Sequence, residues 1–291
     1  MLVIAYNERG RRENDQSLHI VMKIQVRIYN LIREKVQFLY QRLGMEKREN
    51  KKGRKLKIHP AESIALGLYW KASSRTTKKS LWSDFVKQLG CSYKTLVVNI
   101  NRFSRWALYF LTLLLKINRQ NAHLVKYTDS TDMPVCLNKN ARSHRTMEGL
   151  AAWGKTGKGW FFGLKLHLTC DFERRVLALK FSSGNVHDQK MFLKLNKGLF
   201  GIFVADAAYL SAKLQQEFFQ ENTRMLLAKP RANMKKLATT FQNFLYGTRM
   251  TIEVNFRVLK QFFGLTSSLP RSVTGHLANY VYALTAYLLG V

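Results

Sequence analysis

The sequence predicts an α/β protein: a mixed sheet with helices on both sides, preceded by an all-helical region. Three observations carry this. Residues 60–117 keep a helical apolar period with helix-start and helix-stop residues in place. From about residue 122 the period changes to the alternation of a half-buried strand. Short apolar runs at 201–206 and 225–228 then suit strands covered on both faces, with a helical segment over 208–221 between them.

Taken in order, residues 1–43 have helical spacing, with Ile20, Ile24, Ile28, Leu31, Ile32, Val36 and Leu39 apolar. Residues 44–57 form a basic linker with almost no apolar content. A run of this kind is either a solvated loop or a phosphate contact. Pro60 suits the first position of a helix that carries Ile64, Leu66, Leu68 and Trp70. Residues 81–106 read as helix, tight turn, helix, with Gly90 ending the first and Ser92 capping the second. As a helix-turn-helix, the second helix presents Lys94, Asn101, Arg102 and Arg105 to DNA; as a plain helical hairpin, it does not. The first strand is expected at 123–130, ending in acid. A hairpin follows, with strands at 160–171 and 175–181, where Leu164, Leu166 and Leu168 take one face and Lys165, His167 and Thr169 the other. The expected division is a helical segment and linker at 1–57, a helical DNA-binding region at 58–120 and a catalytic domain at 121–291.

Composition narrows the function. The chain has 291 residues, 46% of them hydrophobic, which supports a packed core and argues against global disorder. Its net charge of +30 far exceeds what solubility needs and points to a polyanionic partner, most simply nucleic acid. Three scattered cysteines with no C-x-x-C pair support neither a zinc site nor a disulfide framework, which suits a reducing cytoplasm. The first residues are too charged for a signal peptide, and the oiliest run, 107–115, is too short to cross a bilayer. No membrane role is expected.

Against this basic background the isolated acids stand out. Glu253 is the only acidic residue in 222–291, beside nine Lys or Arg. Tyr246, Arg249, Glu253, Arg257 and Lys260 fall on one stripe of a helix, while Ile252, Phe256, Leu259 and Phe263 fall on an apolar stripe. Asp206 closes the most buried-looking strand and Asp129 ends the first one. A carboxylate in such a place is costly unless paired or bound to metal. Each one taken singly also fits an ordinary role: a strand cap, a turn hydrogen bond, an ion pair on a helix. Three from distant positions would make a hard-oxygen site suited to Mg²⁺ or Mn²⁺. Asp132 is an alternative to Asp129, placed beyond the expected strand end and before Pro134. His187 and Asp188 read more readily as a loop cap than as catalytic groups, and His167 as a core or DNA-facing histidine.

The stripe carries a resemblance. Tyr246, Arg249, Glu253 and Lys260 match the letters and gaps of the Y-R-E-K signature of insertion-sequence transposases, members of the Asp-Asp-Glu (DDE) superfamily. The segments D-S-T-D-M-P-V-C (129–136), F-G-L-K-L-H (162–167), G-N-V-H-D (184–188) and A-D-A-A-Y (205–209) resemble its further motifs, in the family's order. The resemblance covers roughly 123–291 and implies an RNase H-like fold. It also implies Asp129, Asp206 and Glu253 as ligands of two Mg²⁺ or Mn²⁺ ions, with Tyr246, Arg249, Arg257 and Lys260 handling phosphate. One departure is Ala207, where many relatives carry Lys. The implied activity is cleavage at element ends and joining of the 3′-hydroxyl to target DNA by a cytoplasmic, nucleoid-associated protein that dimerises on DNA. A nuclease without joining, and an inactive DNA-binding descendant, fit the same residues.

Overall fold

The structure, a computed structural model, describes residues 26–49, 52–53, 55–73, 75–230, 234, 238–267 and 269–290. The helical expectation for 1–25 and part of the basic linker lie outside these residues.

Helix α1 (26–42) buries Tyr29, Ile32, Val36, Leu39 and Tyr40, the i, i+3, i+4 set of an amphipathic helix. It packs with α2 (Pro60–Ala72), α3 (Lys78–Leu89) and α4 (Tyr93–Gln120) around Ile64, Leu68, Leu81, Leu96, Ile100 and Phe103. Pro60 is the first residue of α2, where its missing N–H costs nothing. Gly90 ends α3 in the left-handed region, and the Ser92 hydroxyl accepts from the Thr95 amide to cap α4. The expected turn chemistry at 90–92 is therefore present. The second helix runs 28 residues, because the oily stretch 107–115 continues it rather than forming a separate element.

Among the described residues the sheet has six strands: β1 (Val125–Pro134), β2 (Ala152–Thr156), β3 (Gly159–Asp171), β4 (Val176–Ser183), β5 (Gly201–Ala205) and β6 (Arg224–Ala228). β3 pairs antiparallel with β1 on one side, and with β2 and β4 end to end on the other. β5 and β6 run parallel to β1. The resulting order β4-β3-β1-β5-β6, with helices on both faces, is the RNase H-like layout. Three elements differ from the sequence expectation. β1 continues to Pro134 rather than stopping at 130, because β3 supplies a partner for each residue to Gly163. β2 is an additional edge strand. The expected helix at 208–221 is a short 3-10 turn, Ala207–Tyr209, followed by α6 (Ala212–Phe218).

One face of the sheet carries α5 (Asp188–Leu195) and α6 over Leu177, Phe192, Phe203 and Phe218. The other carries α8 (Met250–Gln261) and α9 (Val273–Leu289), with Ile252, Phe256, Leu259, Tyr280 and Leu284 against Val125, Tyr127, Leu166 and Val204. α9 also reaches the N-terminal helices through Ala278, Tyr282 and Ala286. A Cβ on Gly67 would sit 2.4 Å from the Tyr282 ring, so glycine is what allows this crossing. Among the described residues no helix is long and apolar enough to cross a membrane.

Candidate active site

The site follows from where strand pairing stops. β5 pairs with β1 only as far as Ala205 opposite Thr128. The next residue on each strand is an aspartate, Asp129 and Asp206. Both stand at the point where β1 loses its β5 neighbour and a cleft opens. Helix α8 lies across that end of the sheet, held by Ile252, Phe256 and Leu259, and turns Glu253 and Arg257 toward the cleft. Asp129, Asp206 and Glu253 thus line one cavity of about 700 Å³. Asp132, Asp188, Lys155, Lys158, Lys165, Arg249, Arg257 and Lys260 complete its charged wall.

The acids are not yet gathered around a shared point. Arg249 lies between two of them, donating from Nη1 to Asp129 Oδ2 at 3.0 Å and from Nη2 to Glu253 Oε1 at 2.9 Å. Among the described residues no three His, Cys, Asp or Glu stand close enough to hold a metal ion. The guanidinium supplies the positive charge that these carboxylates need. The Asp206 carboxylate makes no hydrogen bond or ion pair among the described residues; only its backbone carbonyl accepts from the Tyr209 amide, at 2.9 Å. Burial raises the Asp129 carboxyl to about 6; the Ser130 amide and Arg249 oppose that shift, and the charges of Asp206 and Asp188 add to it.

Two further groups belong to this cluster. Asp188, the first residue of α5, accepts from Ser130 Oγ at 2.9 Å and from Lys165 Nζ at 3.2 Å. It therefore ties α5 to β1 and β3 beside Asp129 rather than only closing a loop. Tyr209 is buried, and its hydroxyl has no hydrogen-bond partner among the described residues. Burial raises its pKa well above the usual value, and Asp129, Asp188 and Asp206 raise it further. An orphaned hydroxyl beside three carboxylates, all oxygen donors, suits a hydrated hard cation. Their donor atoms are of the hard kind that Mg²⁺ or Mn²⁺ takes, with Arg249 bound to Asp129 and Glu253. The A-D-A-A-Y run carried the signal for Tyr209. For Asp188 it was the carboxylate at a helix start after a Gly-Asn turn.

The expected stripe is partly interrupted. Residues 240–261 form two helices, α7 (Thr240–Thr248) and α8, joined at Arg249. Thr248 causes the break: its hydroxyl donates to Leu245 O and accepts from Tyr127 OH at 2.8 Å, ending α7. Arg249, Glu253, Arg257 and Lys260 still face the cavity. Tyr246 does not line it, and its hydroxyl points to Ala228 O at 3.4 Å. Lys260 donates to Asp132 Oδ1 at 3.1 Å. Burial lowers the Lys260 pKa, and Asp132 opposes that. Asp132, now inside β1, is thus held as the partner of Lys260. His167 is buried against Ser182, with its pKa lowered to about 4 chiefly by burial, so it is neutral near pH 7.

In the helical region Lys94, Arg102 and Arg105 are exposed on α4. Asn101 is half-buried, and its amide oxygen accepts from Lys78 Nζ at 2.6 Å. The amide is held by the preceding helix rather than turned freely outward.

The family described as Transposase DDE domain matches residues 119–273, just over half of the chain and all three candidate acids. The chain belongs to this family. No curated protein matches the sequence. Among solved structures the fold is similar to a piggyBac transposase in a synaptic complex with hairpin DNA, at 9% identity and a TM-score of 0.47. That similarity covers 85% of this chain and 70% of the other. The DDE domain's sheet and its cavity thus coincide with the matched region, while the N-terminal helices lie outside it.

Proposed function

We propose that the chain is the transposase of a bacterial-type insertion sequence. Its reaction is cleavage at the element's ends, followed by attack of the freed 3′-hydroxyl on target DNA. The observation that carries this reading is that Asp129, within β1 where its pairing to β5 stops, Asp206, just after β5, and Glu253, on a distant helix, line one cavity ringed by Lys155, Lys158, Lys165, Arg257 and Lys260. Carboxylates at the centre and cations at the rim are what a phosphodiester and its metal require together. Asp129, Asp206 and Glu253 are the residues that would hold magnesium or manganese, as a pair of ions. The chemistry such ions supply when bound is Lewis-acid activation of the attacking oxygen and stabilisation of the leaving one. Arg249 is the internal counter-ion that holds Asp129 and Glu253 in the DNA-free protein, and a phosphate entering the cavity competes for its guanidinium. Arg257 and Lys260 bind the backbone beside the cut.

The net charge of +30 supports DNA as the partner, both element ends and target, with the protein acting in the cytoplasm as a dimer assembled on DNA. In the helical region, exposed Lys94, Arg102 and Arg105 are the contacts to DNA, and Asn101 is a weaker candidate because Lys78 engages it. The test is to incubate the protein with the DNA flanking its own coding region, a target plasmid and Mn²⁺, and to map products. Cuts at the element ends with joined product are expected. Cuts without joining make it a nuclease of the same fold; no metal-dependent cutting of any DNA makes it a binding descendant.

A further inference from the structure

Helix α8 is tied to the sheet on its cavity face by two cations. Arg249, at its start, holds Asp129, and Lys260, near its end, holds Asp132. Both cations belong to the set that would bind phosphate, so a DNA strand in the cleft competes for them. Ile252, Phe256 and Leu259 hold the helix down by apolar contact, which is not directional. The opposite face of α8 has a different fastening. Asn255 lies two residues from Glu253, about 200° around the helix. It is fully buried. Its Nδ2 donates to Arg174 O at 3.2 Å. Its Oδ1 accepts from Arg174 Nε at 3.2 Å and from Tyr287 OH at 2.8 Å. One amide thus joins α8 to the β3–β4 turn and to α9.

Both partners are themselves fixed. Arg174 stands in the left-handed region, at φ 68°, and its amide donates to Asp171 O at 3.0 Å. The buried Asp171 carboxylate in turn accepts from the Arg175 and His123 amides. Burial raises the Tyr287 pKa, with Arg174 opposing that, so the phenol stays a donor near neutral pH. A buried amide costs free energy unless it is hydrogen-bonded, and an apolar side chain would cover the same face without that demand. What the amide adds is direction. We propose that Asn255 is a positioning residue: it fixes the rotation and register of α8 from the face turned away from the cavity, so that Glu253 keeps its place on the cavity wall when Arg249 and Lys260 turn to phosphate. The proposal rests on the transposase reading and adds to it what holds the third carboxylate during the reaction.

The test takes three measurements on the full-length protein: single-turnover cleavage of element-end DNA with Mn²⁺, DNA affinity by anisotropy, and Mn²⁺ affinity on pre-cut ends by electron paramagnetic resonance. Asn255→Ala should cut on the order of 10²-fold more slowly at saturating DNA, as expected for a misplacement of about 1 Å. It should also bind Mn²⁺ more weakly, with DNA affinity unchanged. Leu226→Ala, a buried change on the other face of the sheet, controls for lost stability and should alter none of the three while it stays folded. If Asn255→Ala does not fold, Tyr287→Phe combined with Arg174→Gly strips both donors to Oδ1 and leaves Asn255 in place. Glycine also suits the left-handed backbone there, and this variant should show the same split between cleavage and DNA affinity. The inference is overturned if the folded variant cuts and binds Mn²⁺ as the wild type does, if DNA affinity falls along with the rate, or if Leu226→Ala loses as much. Failure of the transposase reading looks different: the wild type itself would then cut no DNA with Mn²⁺.

Discussion

Arg249 shows how much of this site depends on a contact that sequence spacing does not reveal. Its four-residue offset from Glu253 predicts an ion pair on one helix face, but its bond to Asp129 spans 120 positions. Removing the guanidinium leaves two carboxylates without their counter-ion. Arg249→Ala is therefore expected to bind Mn²⁺ more tightly than the wild type in the absence of DNA, read by electron paramagnetic resonance, and to lose cleavage because phosphate contact is lost. Weaker Mn²⁺ binding by the variant would count against the counter-ion role. The raised pKa of Asp129 gives a direction for pH. Its carboxyl is protonated below about 6, so Mn²⁺ binding to the DNA-free protein should weaken as pH falls through 6. The same shift means the folded state holds a proton that the unfolded chain releases near 4, so this group lowers stability as pH rises between the two values. Asp206→Asn should abolish cleavage and leave DNA binding near its original level; retained cutting would remove Asp206 from the catalytic set. Asp206 and Glu253 were legible because each is an acid alone in basic or apolar surroundings. Asp188 and Tyr209 were legible only as parts of the G-N-V-H-D and A-D-A-A-Y runs, because their company with Asp129 arises only when α5 and the 3-10 turn fold onto the sheet.

At the scale of elements, the apolar stripes were the reliable signal. Ile252, Phe256 and Leu259 place α8 across the sheet as their spacing requires. Ile252 is fully buried, and Ile252→Ala should cost about 2–5 kcal/mol of stability in denaturant unfolding. A cost near zero would mean that α8 is not anchored there. The break at Arg249 was hidden, since Thr248 ends α7 through a bond from Tyr127 on another element. β2 was hidden for a similar reason: Gly154 weakens its local strand preference, yet the glycine is what lets Gly184 O approach. The extension of β1 past residue 130 depended on the length of its partner β3. In the helical region the Gly90 and Ser92 turn was readable from residue type alone. Exposed Arg102 and Arg105 on α4 should supply end recognition, so Arg102→Ala with Arg105→Ala should erode the preference for element ends over random DNA in competition binding. Undiminished preference would assign recognition to another surface.

For the whole molecule, the charge of +30 sets the binding regime. A protein that neutralises roughly 6–10 phosphates loses about 10³–10⁵ in affinity between 50 and 200 mM salt. A nearly flat titration would mean that the charge serves another purpose. The sheet order, with two parallel strands on one side of β1 and an antiparallel ribbon on the other, sets Asp129, where β1 loses its β5 partner, and Asp206, just after β5, beside a helix from the far end of the chain. α9 ties that helix layer back to the N-terminal bundle, so the cleft and the proposed DNA-contacting helices are parts of one packed body. The central claim is that Asp129, Asp206 and Glu253 form the cation site when DNA is bound. Anomalous scattering from Mn²⁺ in a crystal of the protein with element-end DNA tests it most directly. The account predicts manganese peaks within about 2.6 Å of oxygens from all three carboxylates, with Arg249 released from Asp129 and Glu253. Manganese bound elsewhere, or Arg249 still bridging the two acids with DNA in the cleft, would contradict it.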